Sequence, residues 1–466
     1  MYNNAHIFEV DSNKYVIDHH RMFFCQLDKD ADDALAYTLN GEKTGAELTN
    51  NPTLKLLIGS GFFLSAFKEY EVPNFNYDRM NFSFAPIHEC NFTCKYCFAK
   101  DGEDSTCNGT KFDKKKIDEL LNYIYKKKYT HISNYKFDFV SGGEPLLNAS
   151  VLEYFLGRVR HLDEELDKST TVMVVTNGTL LSPEIISMLD NHNVYLGISL
   201  DGPKQVHNRN RVYKDGSGTY DDVINGIKML EASGASPRLK DAWAMTVVTK
   251  NTGSLVNVME HGLNLGFRRM QMQLVRLPST HPVSFNSSDL VKLKADYKEL
   301  YSHMLDRAED GDLSLIKMIA NDNDSFGKFI GRLLLRDISF YRCFAGKNKI
   351  SFSALGDIYP CDSFCGSKDF LMGSIDESEV ETGVYEMFKD AHVLNCNKCK
   401  ECWARFICGG DCYYNSFNNN GNIYEPDYIT CHMNRFFIEH AIDLLIKLKI
   451  IDPKLVQQLT KFLRVG

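Results

Sequence analysis

The stretch from Asn81 to Cys97 reads NFSFAPIHECNFTCKYC and joins an apolar run to three closely spaced cysteines. Its apolar first half predicts a strand that opens into a loop, and its second half places Cys90, Cys94 and Cys97 in a C-x3-C-x2-C run. Three thiolates at this spacing can hold three corners of a cubane iron–sulfur cluster and leave the fourth iron without a protein ligand. The alternative is a zinc knuckle that closes with His88, because zinc sites usually take a fourth Cys or His at short range.

This cysteine triad resembles the signature of the radical S-adenosylmethionine (SAM) enzymes, with Tyr96 in the aromatic position before the third cysteine. The resemblance implies that the amino and carboxylate groups of SAM chelate the open iron. It further implies that one electron from the cluster splits the sulfonium and releases a 5′-deoxyadenosyl radical.

Composition excludes several classes of function. The 466 residues suffice for two or three domains. A formal net charge of −8 provides no basic face for nucleic acid, and the apolar runs are shorter than a membrane span. The N-terminal sequence MYNNAHIFEVDSNKY lacks an export signal, so we expect a cytoplasmic protein. Most of the 14 cysteines fall in two tight groups, which in a reducing compartment indicates metal clusters rather than disulfides.

From Phe82 onward, strand-like runs alternate with helical stripes, which is the pattern of parallel βαβ units. The predicted strands are NFSFAP, KFDFVSGG, TTVMVVTNG, VYLGISLDG, WAMTVVTK and RRMQMQLVR. Six such units predict an α/β fold with a partial (β/α)6 TIM-like barrel. The first cysteine loop and the SGGEP, TNG and SLDG runs all follow predicted strands, and barrels place their chemistry at the carboxyl ends of strands.

Three domains are predicted: residues 1–75, 76–310 and 311–466. The first has strands followed by helices, and this order resembles the winged-helix element that recognises leader peptides in ribosomal peptide maturation, where the leader adds a strand to a sheet edge. The alternative is a packing extension of the barrel. The second is the radical SAM barrel, and the third contains a bridging region, a cysteine-rich domain and a C-terminal amphipathic helix.

The SGGEP run supplies candidate contacts to SAM. Glycines let the backbone approach a ligand closely, and a carboxylate accepts hydrogen bonds from an ammonium group. By resemblance, this run is the motif that holds the methionine amino group, and its residues are Gly142, Gly143, Glu144 and Pro145.

Polar residues at the ends of the next two strands offer groups for a ribose diol; they are Thr176, Asn177, Ser199 and Asp201. Arg209 and Arg211 follow in the HNRNR run and are candidates to reach the cofactor carboxylate. The alternative for each residue is a helix cap or a solvated surface charge.

Seven cysteines follow a second pattern, C-x12-G-x4-C, then C-x2-C-x5-C-x3-C, then a last cysteine. Two structural zinc ribbons are the alternative that the C-x2-C knuckle alone would favour. The whole string resembles the SPASM domain, which in its family binds two auxiliary [4Fe-4S] clusters. The resemblance implies an outer set, Cys399, Cys402, Cys408 and Cys431, and an inner set, Cys343, Cys361 and Cys412.

The inner set is one ligand short of four. Sulfatase maturases carry a further cysteine a few residues before the first of the seven, and here that stretch, RDISFYRC, has none. Cys365 or Cys396 could complete the set, or the fourth iron could stay open and bind a substrate thiolate, as in some thioether-forming maturases; we favour the open site. Asp362 matches the position of a proposed proton acceptor in sulfatase maturases, the alternative being an exposed turn aspartate.

The leading functional hypothesis is a peptide maturase that oxidatively joins a cysteine sulfur to a carbon, using SAM and three [4Fe-4S] clusters. The expected partners are a precursor peptide with a leader and an electron donor such as flavodoxin or ferredoxin. Carbon–carbon crosslinking of a peptide and formylglycine formation in a sulfatase are the alternatives. A non-catalytic metal-binding scaffold would explain the cysteines but not SGGEP. Two further thiols, Cys25 and Cys107, lie outside every pattern.

Overall fold

The computed structural model describes residues 5–39, 51–60, 70–73, 77–101, 109–140, 142–377 and 382–465. Two positions named above, Cys107 and the first serine of SGGEP (Ser141), lie outside the described residues.

Strands form two sheets, one of three strands in the order β1-β2-β3 and one of nine in the order β12-β11-β10-β4-β5-β6-β7-β8-β9. The strands are β1 (Ala5–Val10), β2 (Asn13–Asp18), β3 (Phe23–Leu27), β4 (Arg79–Phe84), β5 (Asn134–Phe139), β6 (Ser169–Thr176), β7 (Val194–Ser199), β8 (Trp243–Val248), β9 (Met270–Leu274), β10 (Lys349–Phe352), β11 (Asp357–Tyr359) and β12 (Gly373–Ser374).

Helices cover the sheets and connect the strands. The α-helices are α1 (Lys29–Leu39), α2 (Pro52–Gly59), α3 (Phe98–Asp101), α4 (Lys114–Asn122), α5 (Ala149–Leu166), α6 (Pro183–Asn191), α7 (Lys204–Asn210), α8 (Tyr220–Ala232), α9 (Pro237–Lys240), α10 (Leu255–Asn264), α11 (Leu290–Glu309), α12 (Ser314–Ile319), α13 (Gly327–Leu335), α14 (Thr382–Asp390), α15 (Asn397–Lys400), α16 (Arg405–Cys408), α17 (Tyr413–Asn420), α18 (Tyr428–Ile451) and α19 (Pro453–Val465). A π-helical turn covers Tyr123–Lys128, and 3-10 turns cover Pro145–Asn148, Ser287–Asp289, Asp362–Phe364 and Lys368–Phe370.

Side-chain caps fix the starts of several helices. The Asp113 carboxylate accepts from the Lys116 amide at 2.8 Å at the start of α4, and the Asp427 carboxylate accepts from the Thr430 amide at 2.8 Å at the start of α18. Ser182 does the same for α6, which has Pro183 in its first turn. Each cap satisfies an amide that has no partner within the helix.

Six strands confirm the predicted barrel. Strands β4 to β9 are parallel, and each pairs with its neighbour in the chain. Alternate apolar residues of these strands, such as Phe82, Phe137 and Val172, are fully buried in one core. Because all six strands run the same way, the loops that follow them open at one edge of the sheet. This edge carries the first cysteine loop, the GGEP turn, TNG and SLDG.

Three short strands that the sequence analysis did not predict extend this sheet beyond β4. Strand β10 pairs parallel with β4, from Lys349 opposite Asn81 to Phe352 opposite Phe84, and β11 and β12 follow in antiparallel order. Cysteines 343 and 361 flank β10 and β11 in sequence. The seven cysteines of the second pattern, from Cys343 to Cys431, are called the second cysteine field below, and the pairing carries two of them, Cys343 and Cys361, to the edge of the barrel.

The three-stranded sheet of the N-terminal region faces two cores. On β2, the side chain of Val16 packs in a small local core with helices α1 and α2, whereas its neighbours Tyr15 and Ile17 point into the main core. The hydroxyl of Tyr15 donates to the buried carboxylate of Asp443 on α18. The region has a small core of its own, as a separate element would, and it also packs on the rest of the chain, as an extension of the barrel would. The three domain boundaries stay predictions.

No helix among the described residues is long and apolar enough to cross a membrane.

Candidate active site

The first cysteine loop lies across the end of the barrel. Its backbone is held by the segment after α7, because the Thr93 amide donates to the Val212 carbonyl at 2.7 Å and the Lys95 amide donates to the Asn210 carbonyl at 2.9 Å. The pKa of the Cys94 thiol is raised to about 12, mainly by burial; the positive charge of Arg211 opposes the rise, and the other two thiols of the triad add to it. Thiols packed this closely lose their protons most readily to a bound metal centre.

The GGEP turn is packed against the backbone that leads into this loop. A methyl group at position 143 would lie 2.2 Å from the Ile87 carbonyl oxygen and 2.5 Å from the Glu89 carbonyl oxygen, so only glycine fits there. Gly142 has a φ of +95°, which also favours glycine. The Glu144 amide donates to the Glu89 carbonyl at 2.8 Å. Turn and cysteine loop are therefore one packed unit.

Glu144 is buried at the centre of a polar network. Its carboxylate accepts from the Thr176 hydroxyl at 2.7 Å, the Asn177 amide at 2.7 Å and the Leu146 amide at 3.1 Å. Burial raises the pKa of Glu144 to about 7, and these three hydrogen bonds oppose the rise. Its partners among the described residues are uncharged, so the carboxylate has the chemistry to receive a cation such as an ammonium group.

A second network joins the cysteine loop to strands β7 and β8. The buried Asp201 carboxylate accepts from the Tyr96 hydroxyl at 2.5 Å, from Nη2 of Arg211 at 3.1 Å and from the Val247 amide at 3.0 Å. The Arg211 guanidinium also lies over the Tyr96 ring, 5.3 Å from its centre. The structure thus brings three predicted residues together, with Asp201 bonded to groups of the chain itself.

The two remaining candidates for SAM contacts lie at the same edge without joining this network. Ser199 is the last residue of β7 and is half-buried. Arg209 is exposed, and its Nη1 donates to the Asn251 carbonyl at 2.8 Å.

All four cysteines of the outer set line one cavity of about 290 Å³. The loop between Cys402 and Cys408 is held by the N-terminal region: Trp403 stacks on the ring of His6 with centres 3.8 Å apart, and Phe406 packs edge-on against His20 at 5.1 Å. The N-terminal sheet therefore forms part of the support of the outer cysteine set.

The inner cysteines face a set of charged groups. Burial raises the pKa of the Cys361 thiol, and Asp362, Cys412 and Cys343 add to this effect. The Asp362 carboxylate pairs with the Lys349 ammonium at 3.2 Å, so it is not a free turn aspartate.

Arg276, which is separated from the end of β9 by one residue, is another charged residue near the inner cysteines. Burial alone would lower its pKa, but the negative charges of Cys412, Asp411 and Cys343 raise it. Arg276 is not among the residues predicted from the sequence, although its position after the sixth barrel strand could have indicated a functional residue.

The two candidates for a fourth inner ligand lie in different places. Cys396 shares a hydrogen bond with Cys399, which places it at the outer set. Cys365 lies with its sulfur 3.3 Å from the Ser351 hydroxyl on β10.

The donor chemistry of the cysteine sets fits iron–sulfur clusters, whose irons are held by cysteine thiolates. Among the described residues, no three His, Cys, Asp or Glu side chains lie close enough together to hold one metal ion. Lys328 is only 3% exposed, and burial and the neighbouring charge of Arg342 lower its pKa, whereas negative charge at Cys408 favours its ionised form. A buried lysine beside a thiol ligand is what an anionic cluster would stabilise.

The segment that follows the first cysteine triad contacts the segment that follows the inner cysteine Cys412. Phe98, next to Cys97, contacts the ring of Tyr414 with centres 5.6 Å apart, and Tyr414 is close in sequence to Cys412. The mouth of the barrel and the inner cysteine set therefore share a boundary.

Replacing Gly143 with alanine tests the packed unit of turn and loop. Because the methyl group would meet two backbone carbonyls, we expect Gly143→Ala to lower the free energy of unfolding by about 1–3 kcal/mol, the usual cost of overpacking. We also expect loss of iron bound by the first triad after anaerobic reconstitution. Gly234→Ala is the matched control, since a methyl group there meets nothing within 4 Å. Equal stability and iron content in the two variants would contradict this packing.

Comparisons with known proteins agree with this site. The radical SAM superfamily model matches residues 85–251. The radical SAM cyclopropyl synthase TigE of Paramaledivibacter caminithermalis is 25% identical over 76% of this chain and 72% of its own length. A cysteine-type anaerobic sulfatase-maturating enzyme of Clostridium novyi is 26% identical over 76% of this chain and 93% of its own.

Among solved structures, native anSMEcpe with bound AdoMet superposes with a TM-score of 0.64 at 21% identity, covering 82% of this chain and 99% of that one, which shows a common fold. The C-terminal cysteine pattern fits a SPASM domain. Residues 85–251 are therefore a radical SAM domain, and the protein is an enzyme whose radical SAM domain uses SAM and a [4Fe-4S] cluster.

Proposed function

We propose that this enzyme is a peptide maturase that installs a thioether between a cysteine sulfur and a carbon of a ribosomally made precursor peptide. The observation that carries the proposal is the shared boundary between the barrel mouth and an inner set of three cysteines. Phe98 and Tyr414 form this boundary, and Arg276, Lys349 and Asp362 place charged groups beside the inner set.

Thioether formation from a thiol and a C–H bond removes two hydrogens from the peptide. One would leave as a hydrogen atom to the 5′-deoxyadenosyl radical, and the other as a proton and an electron. When bound, the first cluster supplies the electron that cleaves SAM, and two auxiliary clusters supply an acceptor for the electron from the peptide. Asp362, held by Lys349, is the proposed acceptor of the proton.

For SAM, we assign the methionine amino group to the GGEP turn. Thr176 and Asn177 position the Glu144 carboxylate through the hydrogen bonds at 2.7 Å, and Gly142 and Gly143 bring the backbone close. Pro145 begins the 3-10 turn that follows.

The proposed ribose and carboxylate contacts come from the neighbouring strand ends. Ser199 and Asp201 are assigned to the ribose, with Asp201 acting while it is bonded to Tyr96 and Arg211. Arg211 and Arg209 are assigned to the SAM carboxylate.

The seven second-field cysteines are assigned to two auxiliary clusters. The outer set, Cys399, Cys402, Cys408 and Cys431, supplies four thiolates around one cavity. The inner set, Cys343, Cys361 and Cys412, supplies three, and we assign the remaining position to the thiolate of the peptide. The contact of Cys396 with Cys399 supports this assignment, because it directs Cys396 toward the outer set.

Residues 1–75 are assigned to recognition of the leader. In the described sheet, β1 and β3 are both outer strands, and an outer strand can pair with an extended peptide. The proposed electron donor is a flavodoxin or ferredoxin, and the proposed location is the cytoplasm, without nucleic-acid or membrane partners.

Two other maturation reactions are supported by relatives. The Clostridium novyi relative, matched over most of its length, is named as a sulfatase-maturating enzyme, which supports formylglycine formation as a second candidate. TigE is named as a cyclopropyl synthase, which supports carbon–carbon bond formation as a third.

Binding of SAM should depend on the ionisation of Glu144. Its pKa of about 7 lies above the usual value of 4.5, so the carboxylate gains its negative charge as the pH rises through about 7. We expect the dissociation constant for SAM to fall between pH 6 and pH 8, measured by anaerobic calorimetry. Glu144→Gln should bind more weakly and lose this dependence. A pH-dependent affinity that persists in Glu144→Gln would exclude this role.

The open inner position predicts which cysteines are dispensable. We expect Cys365→Ser to keep the iron content of the wild-type enzyme, and Cys396→Ser to keep the signals of the inner cluster in electron paramagnetic resonance. Cys361→Ser is the positive control and should lose the inner cluster. Loss of the inner cluster in either of the first two variants would identify a protein ligand there and end the open-site proposal.

A precursor peptide that contains cysteine and is encoded beside this gene tests the reaction itself. After incubation with SAM and a reductant, a thioether requires loss of two hydrogens together with one alkylatable thiol, and the same peptide with Cys→Ser should not react. Loss of two hydrogens with all thiols retained would instead show carbon–carbon crosslinking. A cysteine converted to an aldehyde would show formylglycine formation, and SAM that is never cleaved would contradict all three.

A further inference from the structure

The sulfur of Cys408 receives a hydrogen bond from a buried amide. Nδ2 of Asn434 lies 3.2 Å from Sγ of Cys408, and Asn434 is only 4% exposed, on the face of α18 that lines the outer cavity. The free thiol is directed to the Gly410 carbonyl at 3.4 Å. A metal-bound thiolate has no proton and can only accept hydrogen bonds, so the Asn434 N–H group can donate to Cys408 when its sulfur is a ligand.

Positive groups converge on the same cysteine. Nη1 of Arg332 donates to the carbonyls of Ile407 and Cys408 at 2.7 and 2.8 Å. Negative charge at Cys408 favours the ionised forms of both Lys328 and Arg332. Cys408 therefore lies in an electropositive part of the protein.

The rest of the cavity has charges of both signs. Asp411, Lys398 and Arg435 all belong to its lining. What acts specifically on Cys408 is the hydrogen bond from the Asn434 amide.

Hydrogen bonds to ligating sulfurs and nearby positive charge stabilise the reduced state of an iron–sulfur cluster, because reduction adds negative charge that spreads onto the sulfurs. We propose that Asn434 raises the reduction potential of the outer auxiliary cluster through its hydrogen bond to Cys408. This inference rests on the proposed function, since that function assigns Cys408 to the outer cluster. Asn434 is a positioning residue in this account and touches neither SAM nor peptide.

The test is a redox titration followed by electron paramagnetic resonance on the full-length reconstituted enzyme. The first triad is replaced by alanine, so that only auxiliary clusters contribute. In Asn434→Leu we expect one midpoint to fall, with the ratio of reduced to oxidised cluster about tenfold lower at a fixed potential, which is about 59 mV for one electron. The other midpoint should stay unchanged. Asn434→Gln keeps a donor and should recover part of the shift.

His432→Leu is the matched control, because His432 lines the same cavity and its Nδ1 lies 2.9 Å from the Tyr428 carbonyl. Both midpoints should match the wild type in this variant. Unchanged midpoints in Asn434→Leu with full cluster content, or equal shifts in the Leu and Gln variants, would overturn the proposal.

If the Asn434→Leu variant does not bind the outer cluster, a measurement on the wild-type protein can still test the proposal. Transfer from H2O to D2O should shift the iron–sulfur stretching bands of an N–H bonded cysteine in resonance Raman spectra, and unshifted bands would overturn the proposal. Neither measurement uses a peptide, so an enzyme that forms no thioether can still show the Asn434 effect. A chain that binds no outer cluster would instead refute the assignment of Cys408 in the proposed function, and the proposal with it.

Discussion

The parallel pairing of β10 with β4 is the contact on which the arrangement of the site depends. Strand β4 leads into the first cysteine loop, and β10 lies between Cys343 and Cys361 in the chain. Four paired residues, from Lys349 to Phe352, fix the register between them. Since a parallel pair keeps both strands running the same way, the segments that follow β4 and β10 leave the sheet in the same direction. The barrel strands are thereby continuous with β10 and β11, which lie between the inner cysteines Cys343 and Cys361 in the chain.

Buried charge then explains the chemistry that each part can support. At the barrel mouth the buried Glu144 carboxylate has uncharged partners, which suits a cationic ligand. The charge of the Asp201 carboxylate is already balanced by the Arg211 guanidinium, so Asp201 does not need a cationic ligand. Around the second cysteine field, the buried cations Lys328 and Arg276 lie close to thiols. Groups buried with unbalanced charge are costly unless a ligand of opposite charge is present.

Local pattern predicted most of the fold, because hydrophobic periodicity is a property of neighbouring residues. All six barrel strands and the C-terminal helix α18 are where the sequence indicated, and the N-terminal region has strands followed by helices as predicted. Strands β10 to β12 were missed because they are only two to four residues long and show too few alternations to recognise. The resemblance to the SPASM domain predicted the outer set, whose four members line one cavity.

Contacts between residues far apart in the chain could not be predicted from the sequence. Nothing local shows that Asn434 meets Cys408, that His6 stacks on Trp403, or that Lys349 pairs with Asp362. The position of Asp201 at a strand end was predicted from the sequence. Its hydrogen bonds to Tyr96 and Arg211 were not, because they depend on how the loop folds back. Its contact with ribose stays a prediction.

Mössbauer spectroscopy of enzyme reconstituted with 57Fe shows whether the three cysteine sets hold three cubane clusters. We expect about twelve irons per chain in cubane signals for the wild type, four per cluster, and about eight when Cys90, Cys94 and Cys97 are all replaced by alanine. A wild-type chain that saturates with about four irons, or that binds zinc in the second cysteine field, would contradict this expectation.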